Sequence, residues 1–208
     1  MPITIRLMYI DDDPDLILSN FIYSLESKAF LENNNLNENV CISVSEYHLK
    51  KDDSFDALIK TIKDNQVNIL LIDSKLYEDQ SVLNKITGEA VKLYLKQFLP
   101  YIEVIVISSK EIDGNCLTIR KKSENLDKDE KDQYNDTLVP RIVDCVKKVQ
   151  ENLFLAEEMK KGATFDKYIS DRIVASLNFN EDYSSITKND IDNLVDAFKA
   201  IQEKIDEL

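Results

Sequence analysis

The sequence predicts a doubly wound α/β domain with a parallel sheet, followed by a helical extension. In the first half of the chain, short β-rich runs alternate with stretches whose apolar residues have helical spacing. Strands that alternate with helices are joined by right-handed crossovers, which gives a parallel sheet covered by helices on both faces. The runs 69-ILLI-72 and 104-VIVI-107 are apolar at every position, as expected of strands that are buried on both faces.

Five runs are predicted to be strands, and three of the intervening stretches are predicted to be helices. The strands are expected at residues 3–10, 40–45, 67–72, 103–108 and, with a weaker pattern, 116–120. The three helices carry apolar stripes around Leu18, Leu58 and Val91. The polar, asparagine-rich segment at residues 31–39 is predicted to be a mobile loop.

The second part of the chain is predicted to be helical. The first helix there is expected to run through Met159 and to end near Gly162, because glycine is favoured just after a helix end. Two further amphipathic helices follow, one around Ile173 and one around Leu194.

We divide the chain into an α/β domain at residues 1–150 and a helical extension at residues 151–208. The extension contains 13 acidic and 7 basic residues, and the whole chain has a net charge of −13. Binding to nucleic acid requires clustered lysine and arginine side chains that neutralise phosphates. The composition therefore argues against DNA or RNA as a partner.

Neither a membrane nor an oxidising compartment is expected for this chain. No apolar run approaches the roughly 20 residues of a membrane span, and residues 1–30 lack a signal-peptide pattern. The odd number and wide spacing of Cys41, Cys116 and Cys145 favour reduced thiols over disulfides or a zinc site. His48, the only histidine, is expected to be a surface loop residue rather than a catalytic or phosphoryl-accepting group. We expect a cytoplasmic protein.

Polar residues follow the predicted strands at the points where the strands end. They are Asp11, Asp12 and Asp13 after the first strand, Asp73 after the third, Ser108 after the fourth and Lys121 after the fifth. In a doubly wound sheet these ends meet at the topological switch point, so we expect the side chains to face one crevice. Three consecutive aspartates could cap the next helix, form a solvated turn or bind a divalent cation.

Carboxylates, a hydroxyl and an ammonium group in one crevice suit phosphoryl transfer to a carboxylate. Asp11, Asp12 and Asp73 would supply hard oxygen ligands for Mg²⁺. Asp73 would be the nucleophile, placed so that the metal neutralises charge on the incoming phosphoryl group. Ser108 would hydrogen-bond one phosphoryl oxygen, and Lys121 would pair with another.

The sequence resembles the receiver domain of bacterial two-component response regulators over about residues 3–150. The matching segments, in the family's order, are 8-MYIDDDPD-15, 69-ILLIDS-74, 105-IVISS-109 and 119-IRKKS-123. The resemblance implies a five-stranded flavodoxin-like sheet and a phosphoaspartate switch at Asp73 that uses Mg²⁺. It also implies a histidine kinase or phosphotransfer protein as the phosphodonor, and the backbone carbonyl of Lys75 as a further Mg²⁺ ligand.

The chain departs from the receiver pattern at three places. The family has a proline and a glycine soon after the acceptor, whereas this chain lacks the proline and has its glycine at Gly88. A proline usually follows the active-site lysine, but Lys122 follows Lys121, so either lysine is a candidate. Only thirteen positions separate Ser108 from Lys121. The helix between the fourth and fifth strands is therefore expected to be reduced to a turn around residues 113–115, which puts the family's ordinary output face in doubt.

Three functions compete for this sequence. The first is a signalling protein that is phosphorylated on Asp73 and acts through protein contacts of its helical extension, for example as a homodimer. The second is a pseudo-receiver that serves as an interaction module without phosphorylation. The third is a phosphatase or phosphotransferase of the haloacid-dehalogenase type. Such enzymes need a second aspartate two residues after the nucleophile, and Lys75 occupies that position, so an enzyme ranks last.

Overall fold

The computed structural model describes residues 3–76, 87–108, 118–120, 130–161 and 167–179. The strands are β1 (Ile3–Asp11), β2 (Val40–His48), β3 (Ile69–Asp73), β4 (Glu103–Ser108) and β5 (Thr118–Arg120). The helices are α1 (Leu16–Ser24), α2 (Lys28–Asn33), α3 (Phe55–Asp64), α4 (Gly88–Phe98), α5 (Glu130–Lys161) and α6 (Lys167–Leu177).

The strands form one parallel sheet in the order β2-β1-β3-β4-β5. This is the order of flavodoxin-like doubly wound sheets, in which the chain reverses its direction of winding between β1 and β3. The edge strand β5 is short and pairs with β4 from Val106↔Thr118 to Ser108↔Arg120. The predicted parallel α/β class is therefore confirmed, and the switch point lies at the carboxyl ends of β1 and β3.

Both faces of the sheet are buried under helices. Leu7 and Tyr9 of β1 belong to a core cluster that includes residues of α1 and α5. Met8 and Ile10 point to the opposite face and belong to a second cluster with residues of α3 and α4. All five residues of β3 are buried, which explains why this strand is apolar throughout until its final aspartate. Each such buried aliphatic side chain stabilises the fold by about 1.5–3 kcal/mol.

Short polar residues begin the first four helices. Asp15 caps α1 by accepting hydrogen bonds from two backbone N–H groups of its first turn. Ser27, Ser54 and Thr87 each accept one such bond at the starts of α2, α3 and α4. These side chains satisfy backbone donors that a helix cannot pair internally. Because Asp15 caps α1, the three aspartates before it are not needed for capping.

The prediction of a loop at residues 31–39 is wrong for residues 31–33. Residues 31–33 belong to the helix α2, and Leu36 is buried in the same core cluster as β1. The asparagine-rich composition is typical of a loop, so this short helix was not predicted. Its apolar side chains Phe30 and Leu31 pack against that core. The second strand also extends beyond its predicted end, to His48.

The helix α5 is continuous across residue 150, so the predicted boundary between domain and extension falls inside it. It ends at Lys161, beside the glycine that the sequence placed at its end. The helix α6 coincides with the predicted stripe around Ile173 and packs against α5. Phe179, just after α6, contacts the cluster beneath α3 and α4. The division at residue 150 into two units stays a prediction.

Two predicted features lie outside the residues that the structure describes. They are the turn around residues 113–115 and the last helix of the extension, around Leu194. Among the described residues, no helix is long and apolar enough to cross a membrane.

Candidate functional site

Three carboxylates meet at the carboxyl ends of β1 and β3. These strands are neighbours, and their register pairs Ile10 with Ile72, so Asp11 and Asp73 come next at the same edge of the sheet. One carboxylate oxygen from each of Asp11, Asp12 and Asp73 can be chosen so that all lie within 4.8 Å of one another. We call these three residues the acidic cluster. Asp11 and Asp73 are buried, and Asp12 is half-buried.

Both carboxylate oxygens of Asp11 accept hydrogen bonds from the protein. The hydroxyl of Tyr9 donates to Oδ2, and the backbone N–H of Asp13 donates to Oδ1 at 3.0 Å. Burial and then the nearby charge of Asp11 raise the pKa of Tyr9 well above its ordinary value, so its hydroxyl stays protonated. Sequence reasoning missed Tyr9. The signal available was strand periodicity, which places residues 9 and 11 on the same face of β1.

The second aspartate of the run is held through its main chain. The backbone carbonyl oxygen of Asp12 pairs with Nε2 of His48. His48 is the last residue of β2 and lies opposite Asp11 in the register of the two strands. The expectation of a surface loop residue is therefore wrong in one respect, because His48 is exposed but belongs to a strand end next to the acidic cluster.

The end of β3 is anchored to its neighbours through Ser74. Its backbone N–H donates to the carbonyl of Ile107 at 2.7 Å, and its hydroxyl donates to Glu89 Oε1 at 2.6 Å. The backbone N–H of Lys75 donates to Asp73 Oδ2 at 3.3 Å. These contacts connect the proposed acceptor to β4 and to the first turn of α4. Sequence reasoning missed Glu89, which is fifteen residues from Ser74.

Gly88 allows α4 to begin against the end of β3. A Cβ atom at residue 88 would lie 2.5 Å from the carbonyl oxygen of Asp73, a distance that real Cβ atoms do not tolerate. Lys75 and Thr87 form an antiparallel bridge just before this contact. The glycine that departs in position from the receiver pattern therefore has a steric role next to Asp73.

Ser108 lies at the same edge of the sheet as the acidic cluster. It is 1% exposed and follows Ile107, which is the register partner of Asp73. Lys121 and Lys122 lie outside the described residues, directly after the end of β5 at Arg120. The roles of Ser108 and of either lysine stay predictions, as does the backbone carbonyl of Lys75 as a metal ligand.

The charges of the acidic cluster require compensation. Two unit charges 4 Å apart repel by about 4 kcal/mol at an effective dielectric constant of 20. Carboxylate oxygens are the hard ligands that Mg²⁺ and Ca²⁺ take in proteins, and Mg²⁺ is commonly held by one or two carboxylates with waters completing its shell. The donor set of Asp11, Asp12 and Asp73 therefore fits a divalent cation of this kind in chemistry and spacing.

The chain has little detectable similarity to known proteins. No protein-family model matches it, and no curated protein is significantly similar in sequence. One similar solved structure is the crystal structure of the anti-anti-sigma factor PhyR from Bartonella quintana, with 16% identity and a TM-score of 0.33. The match covers 76% of this chain and 51% of that chain, so this chain spans about half the length of that protein. A likeness of this size does not identify the fold or the function of this chain.

Proposed function

We propose that this chain is an atypical receiver-like signalling protein that accepts a phosphoryl group on Asp73 in the presence of Mg²⁺. The observation that carries the proposal is the meeting of Asp11, Asp12 and Asp73 at the switch point of a parallel sheet. The sequence resemblance to receiver domains supports it, because the same residues carry that resemblance. The assignment of this sheet to the receiver type is part of the proposal.

The proposed reaction is a phosphoryl transfer to a carboxylate. An oxygen of Asp73 attacks the phosphorus of the donor, the new O–P bond forms, and the bond from phosphorus to the leaving group breaks. With a phosphohistidine donor the imidazole leaves and takes a proton from solvent, and the product on Asp73 is an acyl phosphate. A bound Mg²⁺ would neutralise charge on the transferring group.

The other residues at the strand ends would bind and orient the phosphoryl group. Asp11 and Asp12 would hold the cation beside Asp73. Ser108 would donate a hydrogen bond to one phosphoryl oxygen, and Lys121 or Lys122 would pair with another. These contacts would lie at the phosphoryl oxygens, where negative charge must be stabilised in the transition state. They would therefore lower the barrier and speed the reaction.

The proposed partners are proteins of a bacterial phosphorelay. A histidine kinase or phosphotransfer protein would supply the phosphoryl group in the cytoplasm, and the helical extension would carry the output through protein contacts. The extension's excess of acidic residues supports a protein rather than a nucleic acid as its target. Exposed apolar side chains near the end of α5 and on α6, namely Phe154, Leu155 and Ile169, are consistent with such contacts.

Acetyl phosphate with Mg²⁺, followed by intact-mass measurement, tests the proposal. Wild type should gain one phosphoryl group, and Asp73→Asn should gain none. Asp64→Asn, which removes an exposed carboxylate at the end of α3, is the matched control and should be labelled like wild type. Equal labelling of Asp73→Asn would show that the acceptor is a different residue. A wild type that is never labelled would favour the pseudo-receiver alternative.

A further inference from the structure

Tyr9 places a hydroxyl group beside the acidic cluster from within the hydrophobic core. Its side chain is fully buried and lies in the cluster that contains Leu18 and Phe21 of α1. The ring is fixed by this packing, and the hydroxyl donates to Asp11 Oδ2. The side chain of Tyr9 therefore makes a polar contact with the acidic cluster in addition to filling space in the core.

The Asp11 carboxylate is oriented by two donors on its two oxygens. The Tyr9 hydroxyl binds Oδ2, and the Asp13 backbone N–H binds Oδ1 at 3.0 Å. A buried carboxylate is costly unless it is hydrogen-bonded, and hydrogen bonds to the ionised form stabilise it. Donors on both oxygens also restrict rotation of the carboxylate.

We infer that Tyr9 is a positioning residue, whose hydroxyl fixes the orientation of the Asp11 carboxylate for a cation of strict coordination geometry. The inference rests on the proposed Mg²⁺ site. Hydrogen-bond partners of metal ligands typically contribute 10–100-fold to metal affinity. Mg²⁺ requires near-octahedral geometry, whereas Ca²⁺ accepts variable geometry and coordination number. A fixed carboxylate therefore favours Mg²⁺ over Ca²⁺.

Tyr9→Phe isolates the hydroxyl, because phenylalanine fills nearly the same volume of the core. Tyr47→Phe provides the matched control. The hydroxyl of Tyr47 donates to Asp53 Oδ2 at 2.8 Å, and its ring packs against the core cluster on the opposite face of the sheet. Both substitutions remove a tyrosine–aspartate hydrogen bond, but only the first touches the acidic cluster.

Calorimetric titration of the full chain with Mg²⁺ and with Ca²⁺ tests the inference, with folding checked by circular dichroism and the cation-free melting temperature. Tyr9→Phe should bind Mg²⁺ about tenfold more weakly than wild type, with a smaller loss for Ca²⁺. Tyr47→Phe should keep both affinities. A role in packing alone would lower the melting temperature and leave the ratio of the two affinities unchanged.

Besides an unchanged ratio of the two affinities, three results would overturn the inference. They differ in whether they also overturn the proposed metal site. Unchanged Mg²⁺ affinity in Tyr9→Phe would remove the positioning role and leave the metal site in place. Tighter Mg²⁺ binding would show that the hydroxyl competes with the cation for Asp11, which also removes the positioning role alone. A wild type that binds no Mg²⁺ would overturn the proposed metal site and the inference together.

Discussion

Gly88 lies against the main chain of Asp73, so that a Cβ atom at residue 88 would come within 2.5 Å of the Asp73 carbonyl oxygen and 3.1 Å of Val106 Cγ1. The first of these contacts is with backbone, which cannot move aside as a flexible side chain can. The proposed acceptor and the start of α4 are therefore sterically coupled. A change at residue 88 must move either the end of β3 or the helix.

Gly88→Ala is expected to destabilise the fold although alanine favours helices. The steric conflict should cost about 1–3 kcal/mol, as overpacking typically does, and the higher helix propensity of alanine offsets at most about 1 kcal/mol. Urea unfolding measures the change in the free energy of unfolding. Phosphorylation of Asp73 should also slow, because the end of β3 is displaced. A variant that is more stable than wild type would show that the two segments do not approach so closely.

Mg²⁺ should raise the melting temperature of wild type, and Asp12→Asn should lose most of that gain. A cation that binds only the folded state stabilises it by about 2.7 kcal/mol at 100 times its dissociation constant. Asp12→Asn removes one of the three carboxylates of the acidic cluster. Asp13→Asn is the control, since Asp13 is exposed and its side chain is not part of that cluster. Equal Mg²⁺ shifts in wild type and Asp12→Asn would exclude the proposed ligand set.

Ser108→Ala is expected to slow phosphorylation from acetyl phosphate by about tenfold or more. Removing a hydrogen bond to a charged group costs about 1.5–3 kcal/mol, and 1.36 kcal/mol corresponds to a factor of ten in rate. Ser43→Ala, on the exposed side of β2, should react like wild type. The time course of intact mass measures the rates, and the melting temperatures show whether folding is preserved. An unchanged rate in Ser108→Ala would remove the serine from the reaction.

The sequence was sufficient to predict the parallel sheet and the acidic cluster, because both follow from strand ends. The wholly apolar β3 ends at Asp73, and β1 ends at Asp11, so a switch-point argument brings the two together. The bond between Tyr9 and Asp11 was not predicted, since a tyrosine in an apolar run is indistinguishable from core packing. The pair Ser74 and Glu89 depends on where α4 begins, which local sequence patterns do not determine.

The short helix α2 was missed for a different reason. It has six residues and follows Ser27, but its asparagine-rich end and the polar segment after it have the composition of a loop. Helices this short owe their stability to tertiary packing rather than to intrinsic propensity. Here the packing is that of Phe30 and Leu31 on the core, a contact that becomes visible only in three dimensions.

Cys41 and Cys145 should differ in their reactivity towards a thiol-alkylating reagent near neutral pH. Burial, with the charge of Glu103, raises the pKa of Cys145 to about 12, whereas Cys41 is exposed. Because the thiolate is the reactive form, Cys41 should be alkylated and Cys145 should react only after unfolding. Mass spectrometry in a Cys116→Ser background measures both. Rapid alkylation of Cys145 in the folded protein would contradict the burial of this residue on the core-facing side of α5.

The same shift in the pKa of Cys145 predicts a loss of stability at alkaline pH. An exposed cysteine thiol has an ordinary pKa of 9.0. The unfolded chain therefore releases this proton at lower pH than the folded chain does. The stabilisation that the raised pKa of Cys145 gives to the folded state is therefore fully present below about pH 9. It is lost as the pH rises towards 12. Cys145→Ala should make the free energy of unfolding less dependent on pH in this window. If Cys145→Ala and wild type show the same pH dependence, the loss of stability at alkaline pH comes from other titratable groups.

The helical extension is expected to form a homodimer through its predicted last helix. The apolar stripe of that helix consists of Ile191, Leu194, Val195, Phe198, Ile201 and Ile205. Leu194→Glu combined with Phe198→Glu should convert the dimer to a monomer, because burying a carboxylate in an apolar interface costs several kcal/mol. Sedimentation equilibrium measures the mass in solution.

A control for the dimer places the same two charges on the opposite side of the predicted helix. Asn189→Glu combined with Asn193→Glu adds two carboxylates about half a turn away from the stripe, so this variant should remain a dimer. A monomeric wild type would overturn the dimer. Dissociation of both double variants alike would show that net charge, rather than burial of the stripe, decides the association. Because α6 lies outside the altered segment and packs on α5, both variants should keep the α/β domain folded.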